Sequence, residues 1–122
     1  MDIGKKVWAI AEGFIPGWSN GPAPDFISHD AACILNTSDD EAHVEITIYF
    51  SDRQPAGPFI TTVPAKRTKH LRFNDFSDPE AIPRETDYAS VFISDVPIVV
   101  QYTRLDSRQA ENALISTIAY TQ

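Results

Sequence analysis

His43-Val-Glu-Ile-Thr-Ile-Tyr-Phe50 alternates residue by residue. Val44, Ile46, Ile48 and Phe50 share one face of an extended chain, and His43, Glu45, Thr47 and Tyr49 share the other. Side chains along a strand point to its two faces in turn, and this run is rich in β-branched and aromatic residues, so it predicts a half-buried β-strand. Shorter runs of strand character recur on either side, at 7–11, 31–35, 59–63, 67–73, 88–93 and 98–103. The last two read as separate strands joined across Ser94-Asp95-Val96-Pro97, because Pro97 cannot donate to a ladder and belongs at a strand start or an edge. Residues 74–87 read as an acidic loop. Good helix formers after Ser107 predict a short helical turn or loop, followed by a final strand over roughly 113–120. About seven to eight short strands with turn residues between them predict an all-β antiparallel sandwich, a single domain over residues 1–122.

Composition narrows the function classes. Hydrophobic residues at 43% and charged residues at 22% of 122 positions describe an ordinary globular chain, not a disordered one. Ten Lys and Arg against seventeen Asp and Glu leave a net charge of −7, which opposes non-specific attraction to phosphate and makes DNA an unexpected partner. The single cysteine, Cys33, excludes an internal disulfide framework and a cysteine-based zinc cluster. It lies in the apolar run Ala-Ala-Cys-Ile-Leu and reads as a buried, inert thiol. No segment approaches the ~18 apolar residues of a membrane helix, and the N-terminus lacks a signal-peptide stretch, so a cytoplasmic location is expected. The sequon Asn36-Thr37-Ser38 is then a coincidence.

One segment runs against the overall charge. Lys66, Arg67, Lys69 and Arg72 put four positive charges into seven residues, so the remainder of the chain carries −11. Period two sends Arg67, Lys69, Leu71 and Phe73 one way, with Leu71 and Phe73 toward the core. Lys66, Thr68, His70 and Arg72 are left on the open face. Two readings stand: a solvated face paired with acidic neighbours such as the 75–87 loop, or a site for an anion or a partner.

Catalytic signatures are missing. His29, His43 and His70 are far apart and show no metal-ligand spacing. Ser28-His29-Asp30 holds the residue types of a hydrolase triad, but neighbours on an extended chain point to alternate faces. Neither a nucleophile elbow, a phosphate-cradling glycine loop nor a dinucleotide fingerprint occurs. Neither a cofactor nor a catalytic residue is expected. A polar and aromatic set is more suggestive: Trp8 and Glu12 flank the first strand, Trp18 and Asn20 lie in the next loop, and Gln101, Arg104 and Asp106 close a late strand. Aromatic faces with amide, guanidinium and carboxylate groups suit a small polyol or sugar. Gln101 and Arg104, three apart, face opposite ways on a plain strand.

Several long strings then converge on one family. Trp8-Ala-Ile-Ala-Glu-Gly-Phe-Ile-Pro16, Asn20-Gly-Pro22, Phe26-Ile-Ser-His29 and Cys33-Ile-Leu-Asn36 resemble the soluble sensory rhodopsin transducer family. Ala42-His-Val-Glu-Ile-Thr-Ile-Tyr49, Val63-Pro-Ala65, Arg67-Thr-Lys-His70 and Arg72-Phe-Asn-Asp75 are similar to it as well, as is the run from Pro97 to Asn112. The resemblance covers about residues 7–120. It implies an all-β sandwich subunit in a cyclic homotetramer, and a non-enzymatic signalling protein that binds the cytoplasmic face of a seven-helix photoreceptor. It also implies a small carbohydrate-like ligand. The sequence departs from the family at Gly17-Trp18-Ser19, where a Pro/Tyr-type segment is expected. The candidate ligand-binding residues are Trp8, Glu12, Asn36, Arg67, Arg72, Asn74, Gln101, Arg104 and Asp106, and the candidate partner-binding residues are Lys66, Lys69 and His70. A ligand-sensing module without a rhodopsin partner is the alternative.

Overall fold

The computed structural model describes residues 3–20, 27–109 and 113–122. Its strands are β1 (Lys5–Phe14), β2 (His29–Asn36), β3 (Ala42–Phe50), β4 (Ala56–Val63), β5 (Arg67–Arg72), β6 (Asp87–Asp106), β7 (Ala113–Ile118) and β8 (Tyr120–Thr121). A 3-10 turn, Phe73–Asp75, follows β5. Every pairing is antiparallel. One sheet runs β4, β3, the first half of β6, β1 and β8. The other runs β5, β2, the second half of β6 and β7.

The alternation read in residues 43–50 is realised in β3. Val44, Ile46 and Ile48 are fully buried, while His43, Glu45 and Tyr49 are exposed. One core draws on both sheets, with Phe92, Ile34 and Val100 at its centre and Phe73 entering from the 3-10 turn. Ile82 is buried in that core too, so the acidic loop over 74–87 is anchored and not merely solvated. Cys33 is half-buried, not buried as expected, and partial burial raises its thiol pKa.

The largest departure from expectation is β6. Residues 88–93 and 98–103 belong to one twenty-residue strand that serves both sheets. Opposite β1, the pairing jumps from Val7↔Ile93 to Lys5↔Ile98. Pro97 sits in that irregular stretch, where a missing N–H costs no β1 ladder bond. The strand thus passes through its proline where it changes sheets. Near the end of the chain, Ala119 N donates to Val100 O, and the chain then pairs with β1 as β8. Ser107–Gln109 form a bend and not a helical turn; the rest of that expectation, at 110–112, lies outside the described residues.

Candidate functional site

Asp30, the third residue of the Ser28-His29-Asp30 run, is the hub of the polar interior. Its side chain is fully buried. Oδ2 accepts from Phe14 N at 2.8 Å and from the Tyr88 hydroxyl at 2.7 Å. Oδ1 accepts from Arg104 Nε at 3.0 Å. A buried carboxylate needs this density of donors, because leaving it unpaired costs several kcal/mol, on the order of 3–5. Burial first, then the Asp30 charge, pushes the Tyr88 and Tyr102 hydroxyls far above the ordinary tyrosine range. Burial alone would depress the Arg104 pKa, but its hydrogen bond to Asp30 and the charge there outweigh this and raise it. Asn74 holds the adjoining backbone: its Oδ1 accepts from Asp30 N at 3.2 Å and its Nδ2 donates to Ser28 O at 3.0 Å. Gly13 lies against the Tyr88 ring, where a Cβ would overlap the aromatic carbons.

Outside this hub the end of the molecule opens into a cleft of about 470 Å³, lined among the described residues by Trp18, Asp106, Arg108, Gln109 and Ala113. The Arg108 guanidinium lies 5.5 Å from the ring centres of both Trp18 and Phe14. It donates to Asp106 through Nη2 at 2.7 Å and Nε at 3.0 Å. Those bonds from Arg108 hold the Asp106 carboxyl below its ordinary range. Glu85 ties the facing loop, accepting from Gly17 N at 2.7 Å and meeting Arg108 Nη1 at 3.8 Å. Asn20 Nδ2 donates to Arg108 O at 2.9 Å, so the loop after β1 and the bend after β6 are stitched together. Trp18 remains 58% exposed, an aromatic face open to solvent between charged and amide groups.

The structure brings Glu12, Asn74, Arg104 and Asp106 to this end of the fold. Glu12 meets Arg104 Nη1 at 3.7 Å. The other candidates are elsewhere. Trp8 is buried and donates from its ring nitrogen to Lys5 O at 2.9 Å. Asn36 is buried, its amide donating to Asp40 O and Val63 O while Oδ1 accepts from Ser38 N and Ser38 Oγ. Gln101 lies on the outward face and donates to Ser116 Oγ at 2.7 Å, opposite to Arg104 as their spacing predicts. Arg67 and Arg72 stand at the two ends of β5. Lys66 precedes that strand in a turn, with φ of 57°, and pairs with Asp39 at 3.0 Å, so the acid it meets comes from the β2–β3 turn and not from the 75–87 loop. Lys69 points between the sheets, donating to Thr61 Oγ1 at 2.8 Å and Thr62 O at 3.0 Å. His70 is exposed.

Asp30, Tyr88, Glu85 and Arg108 were not among the sequence candidates. Only Arg108 carried a local signal. Its backbone N donates to Asp106 Oδ1 at 3.1 Å, the turn that Asp-x-x runs favour. Among the described residues no group of three or more His, Cys, Asp or Glu side chains is placed to hold a metal ion, and no helix is long and apolar enough to cross a membrane.

The fold and its cleft define a two-sheet all-β protein built around one buried carboxylate. The chain belongs to the Anabaena sensory rhodopsin transducer family, whose family model matches residues 3–121. A solved structure of Anabaena sensory rhodopsin transducer is 63% identical, covering 84% of this chain and 99% of that one, with a TM-score of 0.78. A crystal structure of Thermotoga maritima 1070 is 31% identical over 98% of this chain and 96% of that one, with a TM-score of 0.87. No curated protein matches the chain.

Proposed function

We propose that this chain is a non-enzymatic cytoplasmic transducer that binds the cytoplasmic face of a sensory rhodopsin, or of another membrane receptor, as a homotetramer and relays the receptor's state. The observation that carries this reading is the family match over residues 3–121, joined to 63% identity with a protein named a sensory rhodopsin transducer. The basic segment supplies a docking surface of fitting charge: Lys66 and His70 are exposed on a chain of net charge −7. Lys69 contributes less directly, since its ammonium is bound between the sheets. The test is capture of the purified chain by receptor membranes in darkness and under illumination. Saturable, state-dependent capture that weakens in Lys66→Glu/His70→Glu is expected; capture indifferent to the receptor's presence would sink the reading.

A second, compatible reading rests on the cleft at Trp18. Its volume falls in the range of small-molecule sites, and an exposed indole beside Asp106 and Arg108 suits a polyol or sugar. A thermal-shift series with sugars, polyols and sugar acids tests it. A ligand at about 100 times its dissociation constant adds roughly 2.7 kcal/mol of stability. The expected shift disappears in Trp18→Ala, and a series without any shift removes the ligand from the function.

A further inference from the structure

β4 and β5 are edge strands of the two sheets and lie on the same side of the sandwich. Among the described residues β4 pairs with β3 alone and β5 with β2 alone, so no ladder joins the sheets along this side. A groove of about 230 Å³ runs there, with Phe59, Leu71 and Phe76 on its floor, Ile60 at its rim, and Asp75 and Asp78 on the bordering loop. The 3-10 turn accounts for the floor. It sends Phe73 into the core and leaves Phe76 beside it, the Phe76 ring 5.0 Å from that of Phe73 and 4.8 Å from that of Phe59. Leu71 and Phe76 pack against the core yet stay half-buried, and Ile60 is 63% exposed.

The backbone beside this groove is guarded. Pro58 has no N–H to offer, and Lys69 Nζ donates to Thr62 O at 3.0 Å and Thr61 Oγ1 at 2.8 Å, covering the Thr61–Thr62 end of β4. Proline and lysine are the usual protection of an edge, so this side is not built to take an added strand. Its charge, in contrast, is left open. The 74–87 loop carries five acids, Asp75, Asp78, Glu80, Glu85 and Asp87, against one cation, Arg84. Arg84 is engaged with Ile82 O at 2.9 Å and Asn74 O at 3.1 Å. Among the described residues no Lys or Arg forms an ion pair with Asp75 or Asp78.

We infer that this groove seats an arginine from an extended segment of a partner protein, with apolar residues flanking that arginine. The aliphatic stem lies along Leu71 and Phe76, and the guanidinium reaches Asp75 and Asp78 over an aromatic face. A planar, weakly hydrated guanidinium gives up less on leaving water than a compact ammonium, which selects arginine over lysine. Size separates a protein side chain from a free ligand: 230 Å³ falls below the ~300–1,000 Å³ of small-molecule sites. The exposed Ile60 carries apolar contact past the groove, to the residues beside the arginine. The net charge of −7 favours the approach of a basic segment. This surface is separate from the Lys66 and His70 face, because Leu71 and His70 are neighbours on β5 and point to opposite sides of it.

Methyl and amide NMR of the full chain tests the assignment with three probes: N-acetyl-arginine amide, its uncharged isostere N-acetyl-citrulline amide, and the peptide acetyl-Ile-Arg-Ile-amide. The arginine amide binds with a dissociation constant of about 1–10 mM and moves the Ile60 methyl and the amides of residues 59–61 and 75–78. The citrulline amide binds about tenfold more weakly, as does the arginine amide to Asp75→Asn/Asp78→Asn, altered at two exposed positions. The peptide gains about tenfold over the single amide, and Ile60→Ser removes that gain. No movement of these signals by either arginine probe at about 100 mM, which fills a ~10 mM site to about nine-tenths, overturns the inference. Citrulline binding as tight as arginine, or unchanged binding to the double variant, overturns it through the charge. A single amide as tight as the peptide marks a site for a small free cation and overturns the protein partner. Signals that move with chain concentration alone show a second copy in the groove and overturn the inference as well.

Discussion

Tyr88 and Arg104 stand sixteen positions apart on the same strand and donate to the same carboxylate, that of Asp30. On a straight strand they would be separated by roughly 50 Å. β6 therefore bends through its irregular stretch at 94–98, and its two arms close on one buried acid from β2. The candidate site lies where those arms meet.

Asp30→Asn is expected to destabilise the fold by about 3 kcal/mol, because it leaves the largely buried Arg104 charge with only the exposed Glu12 carboxylate at 3.7 Å. Urea unfolding measures the loss. Adding Arg104→Met to Asp30→Asn recovers part of it, since the stranded charge is then gone. A single substitution that costs less than about 1 kcal/mol would show that the pair does not hold the arms together.

Gly13→Ala tests the same junction through sterics. The new methyl meets the buried Tyr88 ring, which its bond to Asp30 keeps from swinging away. Overpacking of this kind costs about 1–3 kcal/mol. Tyr88→Phe is the companion variant. It removes the hydroxyl but keeps the ring, so Gly13→Ala stays costly in that background; additive neutrality in both would refute the contact.

Asn36 is expected to act through the fold. Its amide binds Asp40 O at 2.8 Å and Val63 O at 3.0 Å from a fully buried position. Asn36→Ala removes the amide's bonds to these carbonyls and the acceptor of Ser38 N, while Ser38 Oγ keeps Asp40 O at 3.0 Å, at a cost of about 1–3 kcal/mol. Thermal melts check this directly. A variant as stable as the parent would remove the residue from the structural account and leave its surroundings to be explained by binding.

One histidine should report pH. His43 Nδ1 meets Asp95 Oδ2 at 2.7 Å, and that hydrogen bond, then the Asp95 charge, raises the His43 pKa above 6.5. Asp95 is held below 3.8, chiefly by the bond from His43 N. For a raised histidine the contribution is complete below 6.5 and fades as pH climbs through its own higher value. For a depressed carboxylate it is present above 3.8 and is lost as pH falls through the lower value. NMR titration should place His43 above 6.5, returning toward it in Asp95→Asn. A midpoint at or below 6.5 in the unsubstituted chain contradicts the pairing.

Local pattern carried much of this architecture. The alternation of Val44, Ile46 and Ile48 identifies β3 and its inward face because burial on one side of a strand writes period two into the sequence. Pro97 misled for an equally local reason: proline reads as a break, and only the tertiary change of sheet makes its missing donor harmless. The hub was illegible, since Phe14, Asp30, Tyr88 and Arg104 meet only after three strands pair. Nothing in Ser28-His29-Asp30 distinguishes a buried carboxylate from a solvated one. Asp106 was legible as polar and near a strand end, whereas Trp18 and Arg108 became neighbours through the cleft itself.

β6 also fixes the order in which the protein can be completed during synthesis. Among the described strands, those before residue 87 pair with one another only as β3–β4 and β2–β5. β1, β2 and β3 each need β6, which emerges after all of them. A nascent chain short of residue 87 thus holds two detached strand pairs and an unpaired first strand, each exposing the face meant for the core. Both sheets take shape only when this one late strand leaves the ribosome, so the non-local pairings of β1, β2 and β3 all wait on a single segment translated after them.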